Sequence, residues 1–257
     1  MSDIKNYWEK STPMNFKDEK WPYEKKRAFR YELQDYMHDS FQFDKWCGKK
    51  VLEIGCGSGV DSLEFARHGA IVTSTDITAN ACQLTRELSD EYGYPPLHVV
   101  QLKEDCKLPF QSNTFDCVYS YGVLHHIPNV DVMLSEITRV LKPGGQLMTM
   151  LYNRDSLLFA YYILYLNGMK QPVINTTQEE IDKLSGMYSE RNIGCPYTRC
   201  YTKATARELL EKHGFKDVTV DVRYNVIDTP EQRKVKIGLP DGLELGWHLV
   251  VKGIKLE

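Results

Sequence analysis

The sequence lacks a long hydrophobic run, and its charges nearly balance. Its longest apolar stretch, LLFAYYILYL at positions 157–166, is shorter than the roughly 20 residues that a membrane-spanning helix needs. The formal net charge is -3 over 257 residues, so no strong overall field attracts DNA or an anionic membrane. We therefore expect no membrane span and favour no nucleic-acid partner.

The chain also lacks a CxxC pair and an apolar N-terminal segment. The first ten residues, MSDIKNYWEK, contain no hydrophobic core, so we expect no secretory signal. The seven cysteines are scattered, and the nearest two are Cys195 and Cys200. This spacing predicts reduced thiols in a cytoplasmic protein and no metal site.

From position 51 onward, short β-branched runs alternate with amphipathic stretches. VLEIG, AIVTSTDIT, LHVVQL and FDCVYSYGV have the composition of buried strands, and DSLEFARHG and NACQLTRELSDEYG have helical apolar spacing. Such alternation predicts a parallel sheet with helices on both faces. The last two predicted strands, near 216–225 and 245–255, are joined by a turn-rich loop, which favours an antiparallel edge.

The pattern divides the chain into two parts. Residues 1–22 read as an irregular N-terminal arm and a helix is predicted over 23–41, and we predict that residues 1–47 together form a lid over a binding site. Residues 48–257 form the main domain. At about 153–200 the alternation breaks into a segment rich in Tyr, Leu and turn residues, which predicts a lid-like insertion.

A glycine-rich turn follows the first predicted strand, in VLEIGCGSGVD at 51–61. Gly55, Gly57 and Gly59 give the spacing GxGxG, whereas a dinucleotide fingerprint has GxGxxG and would require a glycine in place of Val60. The glycines let the backbone approach a ligand, and the next helix offers free N–H groups to a carboxylate or a phosphate.

Acidic residues follow the second and third strands. Asp76 stands where ribose hydroxyls are bound in open α/β sheets, although it could also cap the helix that begins near TANACQL. Glu104 and Asp105 follow the third strand and precede LPF. They are either ligand contacts or a solvated loop pair.

The motifs VLEIGCGSG, TDIT, LPFQSNTFDCVYSYGVLHHI and EITRVLKPGG together resemble those of class I S-adenosylmethionine-dependent methyltransferases. The resemblance covers about residues 48–152 and is strongest to the small-molecule, type 11-like subgroup, which includes quinone-biosynthesis C-methyltransferases. It implies a Rossmann-like, doubly wound α/β fold with a mostly parallel seven-stranded sheet and an antiparallel edge strand. It also implies S-adenosyl-L-methionine as cofactor and S-adenosyl-L-homocysteine as product.

The resemblance implies cofactor-binding roles for eleven residues: Glu53, Gly55, Gly57, Gly59, Asp76, Ile77, Glu104, Asp105, Cys106, Tyr121 and Gly122. The glycines would bend around the methionine part, Asp76 would hold the ribose hydroxyls and Ile77 would pack on adenine. Glu104 and Asp105 depart from the usual family pattern, so which of them contacts adenine stays open.

Three residues are candidates for catalysis. Methyl transfer is an in-line displacement, so the enzyme chiefly aligns the acceptor and excludes water. Tyr121 offers an aromatic face to the positive sulfonium. His125 and His126 follow the fourth strand at the ligand-binding edge, and a histidine can act as a general base, although LHH in this family is often structural.

The acceptor that we favour is a small molecule. Methylation of RNA or protein and a non-catalytic cofactor-binding module are the alternatives. The glycine spacing argues against a nicotinamide oxidoreductase. An arsenic methyltransferase would need clustered thiols, and Cys47, Cys195 and Cys200 are the candidates for such a cluster. The methylated atom and the oligomeric state are left open.

Overall fold

The computed structural model describes residues 3–11, 21–94, 97–161, 177–188, 195–228, 234–236 and 243–257. Its helices are α1 Asp3–Lys10, α2 Tyr23–Leu33, α3 Met37–Phe41, α4 Val60–Arg67, α5 Ala79–Tyr92, α6 Val130–Val140, α7 Gln178–Tyr188 and α8 Lys203–Glu211. Its strands are β1 Lys50–Ile54, β2 Ile71–Asp76, β3 His98–Gln101, β4 Phe115–Tyr121, β5 Leu141–Tyr152, β6 Phe215–Arg223, β7 Val226–Asp228, β8 Lys234–Lys236 and β9 His248–Lys255.

Seven strands form one sheet in the order β3-β2-β1-β4-β5-β9-β6, and β7 and β8 pair separately. Strands β1 to β5 are parallel, whereas β9 runs antiparallel between β5 and β6. The predicted fold class is therefore confirmed, with the antiparallel pairings gathered at one edge. The strand order reverses between β1 and β4, and open α/β sheets bind ligands at the carboxyl ends of strands at such a point.

Helices cover both faces of the sheet, so the central strands are buried on both sides. Successive side chains of a strand point to opposite faces. Val51 and Tyr119 accordingly belong to one apolar core, and their neighbours Leu52 and Val118 belong to the other. All four side chains are fully buried. This explains why β1 and β4 read as almost continuous apolar runs instead of alternating ones.

The N-terminal part differs from its prediction in two respects. Residues 1–22 were expected to be irregular, but Asp3–Lys10 form α1. The helix expected over 23–41 is interrupted, because α2 ends at Leu33 and α3 begins at Met37. The interruption places Met37 and Phe41 in the core with no exposed surface, so tertiary packing has overridden a continuous helical pattern.

Part of the predicted insertion at 153–200 lies outside the described residues, as does the second half of the apolar run at 157–166. What is described of it includes helix α7 and the segment 195–200. Within the described ranges, no helix is long and apolar enough to cross a membrane.

A buried carboxylate fastens α2 to α4. Glu64 on α4 accepts hydrogen bonds from Tyr23 at 2.9 Å and from Arg27 at 2.6 and 2.8 Å, and it lies 3.0 Å from His38 Nε2. Burial by itself would raise the pKa of Glu64, but the hydrogen bonds from Arg27, His38 and Tyr23 outweigh it and lower the pKa to about 2. The charged carboxylate is therefore part of the fold.

We expect Glu64→Gln to lower the free energy of unfolding by about 2 kcal/mol, because it removes one partner of buried charge-assisted hydrogen bonds. The control is Glu24→Gln, since Glu24 also pairs with α4, through Arg67, but is 60% exposed. Exposed pairs contribute little, and we expect a loss below about 0.5 kcal/mol. Urea unfolding of both variants measures the difference.

The pH dependence has a definite sign. The pKa of folded Glu64 lies below its ordinary value of 4.5, so its contribution is complete above pH 4.5 and disappears as the pH falls towards 2. The difference in stability between wild type and Glu64→Gln should shrink over that interval. Equal losses in the Glu64 and Glu24 variants would contradict this role.

Candidate active site

A cavity of about 570 Å³ opens at the carboxyl ends of β1, β2 and β4, where the strand order reverses. Its volume is in the range of small-molecule sites. Its floor is the glycine turn after β1 and its sides are the loops after β2 and β4, while α1 and α2 cover it. The predicted site residues on its wall are Glu53, Gly55, Gly57, Asp76, Ile77, Tyr121, Gly122 and His126.

Five predicted site residues are not on this wall: Gly59, Glu104, Asp105, Cys106 and His125. The loop after β3 contributes the buried Leu102 instead. Glu104 and Asp105 are exposed, and an Asp105 oxygen accepts the Lys107 amide at 3.0 Å. Cys106 is buried among the apolar residues beside that loop.

The glycine turn requires glycine at two positions for different reasons. Gly55 has φ +81°, and a Cβ there would lie 2.1 Å from Val123 Cγ2. Gly59 also has φ +81° and precedes α4, and its Cβ would lie 2.9 Å from Thr85 Oγ1 and 3.0 Å from Thr85 Cα. The first glycine lets the loop after β4 approach the turn, and the second lets α5 pack beside α4.

Asp76 is held at the cavity by three hydrogen bonds. It accepts from the Gly57 amide at 3.2 Å and from the Thr78 amide and hydroxyl at 2.9 and 2.8 Å. Burial nevertheless raises the pKa of this carboxyl. The N-cap of α5 is Thr78, whose hydroxyl accepts the Ala81 amide at 3.3 Å. Capping is thus the role of Thr78 and leaves Asp76 facing the cavity.

Glu53 is a buried carboxyl on the cavity wall, with 3% of its surface exposed. The Ser62 hydroxyl donates to it, and Ser62 in turn lies 2.6 Å from the Ser74 hydroxyl. Burial, reinforced by the charge of Asp61, raises the pKa of Glu53 to about 8. A cation bound nearby would favour the ionised form, so this position suits a positively charged ligand group.

The N-terminal helices contribute residues that sequence reasoning missed. Arg30, in the segment EKKRAFR that reads as a solvated helix face, lines the cavity with a side chain only 12% exposed. Its guanidinium forms an ion pair with Asp61 at 2.6 Å and lies 4.3 Å from the Tyr121 ring centroid. A single basic face offers no sequence signal that separates this buried arginine from its solvated neighbours.

Helix α1 closes one side of the cavity. Trp8 lies on the wall and makes an edge contact with the His126 ring, with 4.8 Å between centroids. The carboxylate of Glu9 accepts the amides of Ala79 and Asn80 at 3.1 and 2.9 Å, at the N-terminus of α5. A helix N-terminus favours a negative charge, so this contact holds α1 in place.

The two predicted histidines occupy different environments. His125 is fully buried, 3.8 Å from the Tyr152 ring, and burial lowers its pKa well below the usual value. His126 lies on the wall, with its Nδ1 3.0 Å from both the Tyr197 carbonyl and the Thr198 hydroxyl. Of these two histidines, His126 is therefore the one placed to touch a ligand in the cavity.

A third histidine, His248 at the start of β9, was not predicted as a site residue. It lies on the cavity wall and is 4% exposed. The Tyr36 hydroxyl lies 2.6 Å from both His248 Nδ1 and the Tyr121 hydroxyl, and Tyr121 lies 3.3 Å from the same nitrogen. In the sequence, LGWHLVVKGIK reads simply as a strand, and a lone histidine at its start carries no motif.

The thiols of Cys56 and Cys82 form a hydrogen bond with each other, and the three thiols named as candidates for a cluster contact other groups. Cys195 lies 3.5 Å from His126 Nδ1, Cys200 lies 3.6 Å from the Ser185 hydroxyl, and Cys47 is exposed near Gly69. Among the described residues, no group of three His, Cys, Asp or Glu side chains could hold a metal ion.

Residues 52–149 match the model of a methyltransferase domain family. A sterol 4-C-methyltransferase of Caenorhabditis elegans is 38% identical over 95 residues, 37% of this chain and 28% of that protein. A ubiquinone biosynthesis O-methyltransferase of Xanthomonas axonopodis is 34% identical over 117 residues, 46% of this chain and 48% of that protein. A SAM-dependent methyltransferase from Thermotoga maritima has the same fold, with TM-score 0.59, 18% identity and coverage of 98% and 99% of the two chains.

Residues 52–149 are thus a methyltransferase domain of this family, and the resemblance drawn from the motifs is confirmed. The segments aligned with the two curated relatives cover less than half of the length of each relative. Residues 52–149 contain the glycine turn, Asp76 and Tyr121, whereas Arg30, Tyr36 and His248 lie outside these residues.

The glycine turn makes a prediction about stability. We expect Gly59→Ala to lower the free energy of unfolding by about 3 kcal/mol, because left-handed strain and a clash with the Thr85 backbone act together. Gly93→Ala is the control, since Gly93 also has positive φ but has nothing within 4 Å of the new Cβ. It should lose only about 1 kcal/mol in urea unfolding. Similar losses in both variants would show that the clash is absent.

Proposed function

We propose that this protein is a methyltransferase that uses S-adenosyl-L-methionine to methylate a small molecule. One observation carries the proposal: the glycine turn, Asp76 and the buried Glu53 meet on a single cavity at the point where the strand order reverses. The domain family of residues 52–149 supports the same reaction class.

The residues on the wall fit the parts of this cofactor. Backbone groups of Gly55 and Gly57 would approach the methionine part, and the Asp76 carboxylate would accept from the ribose hydroxyls. Ile77 would pack against adenine. Glu53 suits the cationic groups of the methionine end, and the Tyr121 ring offers its face to the sulfonium. When bound, the cofactor supplies an electrophilic methyl group.

The covered side of the cavity suits a small, largely apolar acceptor. Ile4, Trp8, Phe29 and Leu33 of the N-terminal helices line it. The relatives carry names that refer to sterol and ubiquinone methylation, and both acceptors are small molecules. We propose an acceptor of this size class. We also propose cytoplasmic localisation, with which seven cysteines that form no disulfide are consistent.

We further propose that residues 1–47 are the lid of the site and residues 48–257 its catalytic domain. Helix α1 contributes Trp8 to the wall and is tied to α5 through Glu9. A closed lid excludes water, which methyl transfer requires.

The proposal is tested with purified protein, methyl-labelled S-adenosyl-L-methionine and a cell extract separated by size. Label in the small-molecule fraction supports it, and mass spectrometry of that fraction then identifies the acceptor. Label in RNA or protein would show that the acceptor is a macromolecule and not a small molecule. Binding of the cofactor without any transfer would favour a non-catalytic module, and preference for NAD would refute the whole class.

We expect Asp76→Asn to weaken binding of S-adenosyl-L-methionine by about 10- to 100-fold, because charge-assisted hydrogen bonds to the ribose are lost. Calorimetry measures the affinity. Asp90→Asn, an exposed position on α5, is the matched control and should bind normally. The proposed role of Asp76 is wrong if its variant unfolds like wild type and binds within twofold of it.

We expect Glu9→Gln to accelerate release of S-adenosyl-L-homocysteine by about fivefold, because removing the charge weakens the contact with the α5 N-terminus by about 1 kcal/mol. Stopped-flow dissociation measures this rate. Asp3→Asn changes an exposed charge in the same helix and serves as control. An unchanged rate in Glu9→Gln would mean that α1 does not gate the cavity.

A further inference from the structure

We propose that Tyr121, Tyr36 and His248 form a proton-transfer chain, and that the acceptor is therefore a molecule methylated on a hydroxyl group of an aromatic ring. This inference rests on the proposed methyltransferase function. It adds the class of acceptor and the route by which the acceptor loses its proton.

The chain is assembled from three distant parts of the sequence. Tyr36 lies in the turn between α2 and α3, Tyr121 ends β4 and His248 begins β9. Two contacts of 2.6 Å link the Tyr121 hydroxyl to the Tyr36 hydroxyl and the Tyr36 hydroxyl to His248 Nδ1. Tyr121 and His248 are both on the cavity wall. The three polar groups therefore form a continuous path that starts in the cavity.

In the proposed chain, Tyr121 donates to Tyr36 and Tyr36 donates to Nδ1 of His248, a direction that both contacts permit. Burial raises the pKa of both Tyr36 and Tyr121, so both hydroxyls keep their protons at neutral pH and are able to donate. Nδ1 accepts when the neutral imidazole carries its proton on Nε2. The imidazole is the end of the chain and the group with basic capacity.

Stacking holds His248 in this orientation. The Tyr224 ring lies parallel to it at 4.4 Å, with 7° between the ring planes, and the Tyr152 ring is also nearly parallel, at 6.2 Å. The main chain of His248 is fixed by pairing with both Tyr152 and Arg223. An imidazole whose ring is stacked and whose main chain is paired on both sides has the fixed position that a general base needs.

The reaction step balances through this chain. The acceptor oxygen forms a bond to the methyl carbon while the carbon–sulfur bond breaks, and the bonding pair stays on sulfur. The acceptor proton passes to Tyr121 Oη, the proton of Tyr121 passes to Tyr36 Oη, and that of Tyr36 passes to His248 Nδ1. The positive charge that leaves the sulfonium ends on the imidazolium.

The surroundings favour an aromatic hydroxyl over an aliphatic one. An aryl hydroxyl, with an ordinary pKa of about 10, is far more acidic than an aliphatic hydroxyl, so it gives up its proton more readily to the imidazole at the end of the chain. The cavity offers flat partners for an aryl ring in Trp8, Phe29 and Tyr152. The guanidinium of Arg30, 4.3 Å from the Tyr121 ring centroid, stabilises negative charge that develops on that phenol during transfer.

The test uses two acceptors that differ in acidity: catechol, which is neutral at the assay pH, and 4-nitrocatechol, which is already ionised. The variants are Tyr36→Phe and His248→Gln, and Tyr201→Phe is the control because Tyr201 is buried but is not on the cavity wall. Methyl transfer to each acceptor is measured together with binding of S-adenosyl-L-methionine by calorimetry.

We expect both variants to lose about 100-fold in turnover with catechol, the usual contribution of a general base. With 4-nitrocatechol the loss should be less than about threefold, because an ionised acceptor needs no base. Cofactor affinity should stay within about twofold of wild type. Any change in turnover caused by Tyr201→Phe should be the same with both acceptors.

Three results would overturn the proposal. Equal losses with both acceptors would make the chain a structural or positioning element. A parallel loss of cofactor affinity would assign Tyr36 and His248 to cofactor binding. A wild-type protein that binds the cofactor but methylates neither catechol refutes the aryl hydroxyl acceptor. A wild-type protein that does not bind the cofactor refutes the underlying methyltransferase function instead.

Discussion

Two buried carboxylates on α4 determine how the N-terminal part of this protein is arranged. Asp61 and Glu64 face the core three residues apart, and ionised groups in such a place must be paired. Arg30 pairs with Asp61 and Arg27 pairs with Glu64, and both arginines come from α2. Tyr119 on β4 adds a further hydrogen bond to Asp61 at 2.9 Å. The charges therefore define where α2 lies against the domain.

The position of α2 in turn builds the covered side of the cavity. Phe29 and Leu33 line that side, and Arg30 extends from the ion pair to the Tyr121 ring. The turn after α2 brings Tyr36 within 2.6 Å of Tyr121. The N-terminal helices thus form part of the cavity wall, and the same contacts that pair the α4 carboxylates also order the side chains on its covered side.

The sequence predicts those parts of the structure that depend on local patterns. Strand composition and helix spacing were enough for the fold, and the glycine turn and Asp76 follow from spacing within single loops. Arg30 and His248 could not be predicted, because their exposure depends on contacts with residues far along the chain. Tyr36 and His248 are 212 positions apart. The exposed Glu104 and Asp105 show that an acidic pattern alone does not decide which side chains reach a cavity.

The residues that the sequence predicts are mainly those that we assign to the cofactor, and the residues that it does not predict are mainly those that we assign to the acceptor. Residues 52–149 match a family model and include the groups assigned to the cofactor, which is common to many methyltransferases. The groups assigned to the acceptor come mostly from outside that region, from α1, α2, the turn after α2 and β9, and Tyr121 is the one of them that lies within it. Relatives that share only the residues assigned to the cofactor can differ in the acceptor and in the methylated atom. Acceptor chemistry must therefore be inferred from the tertiary arrangement of Tyr36, Tyr121 and His248 and cannot be transferred from the matched domain.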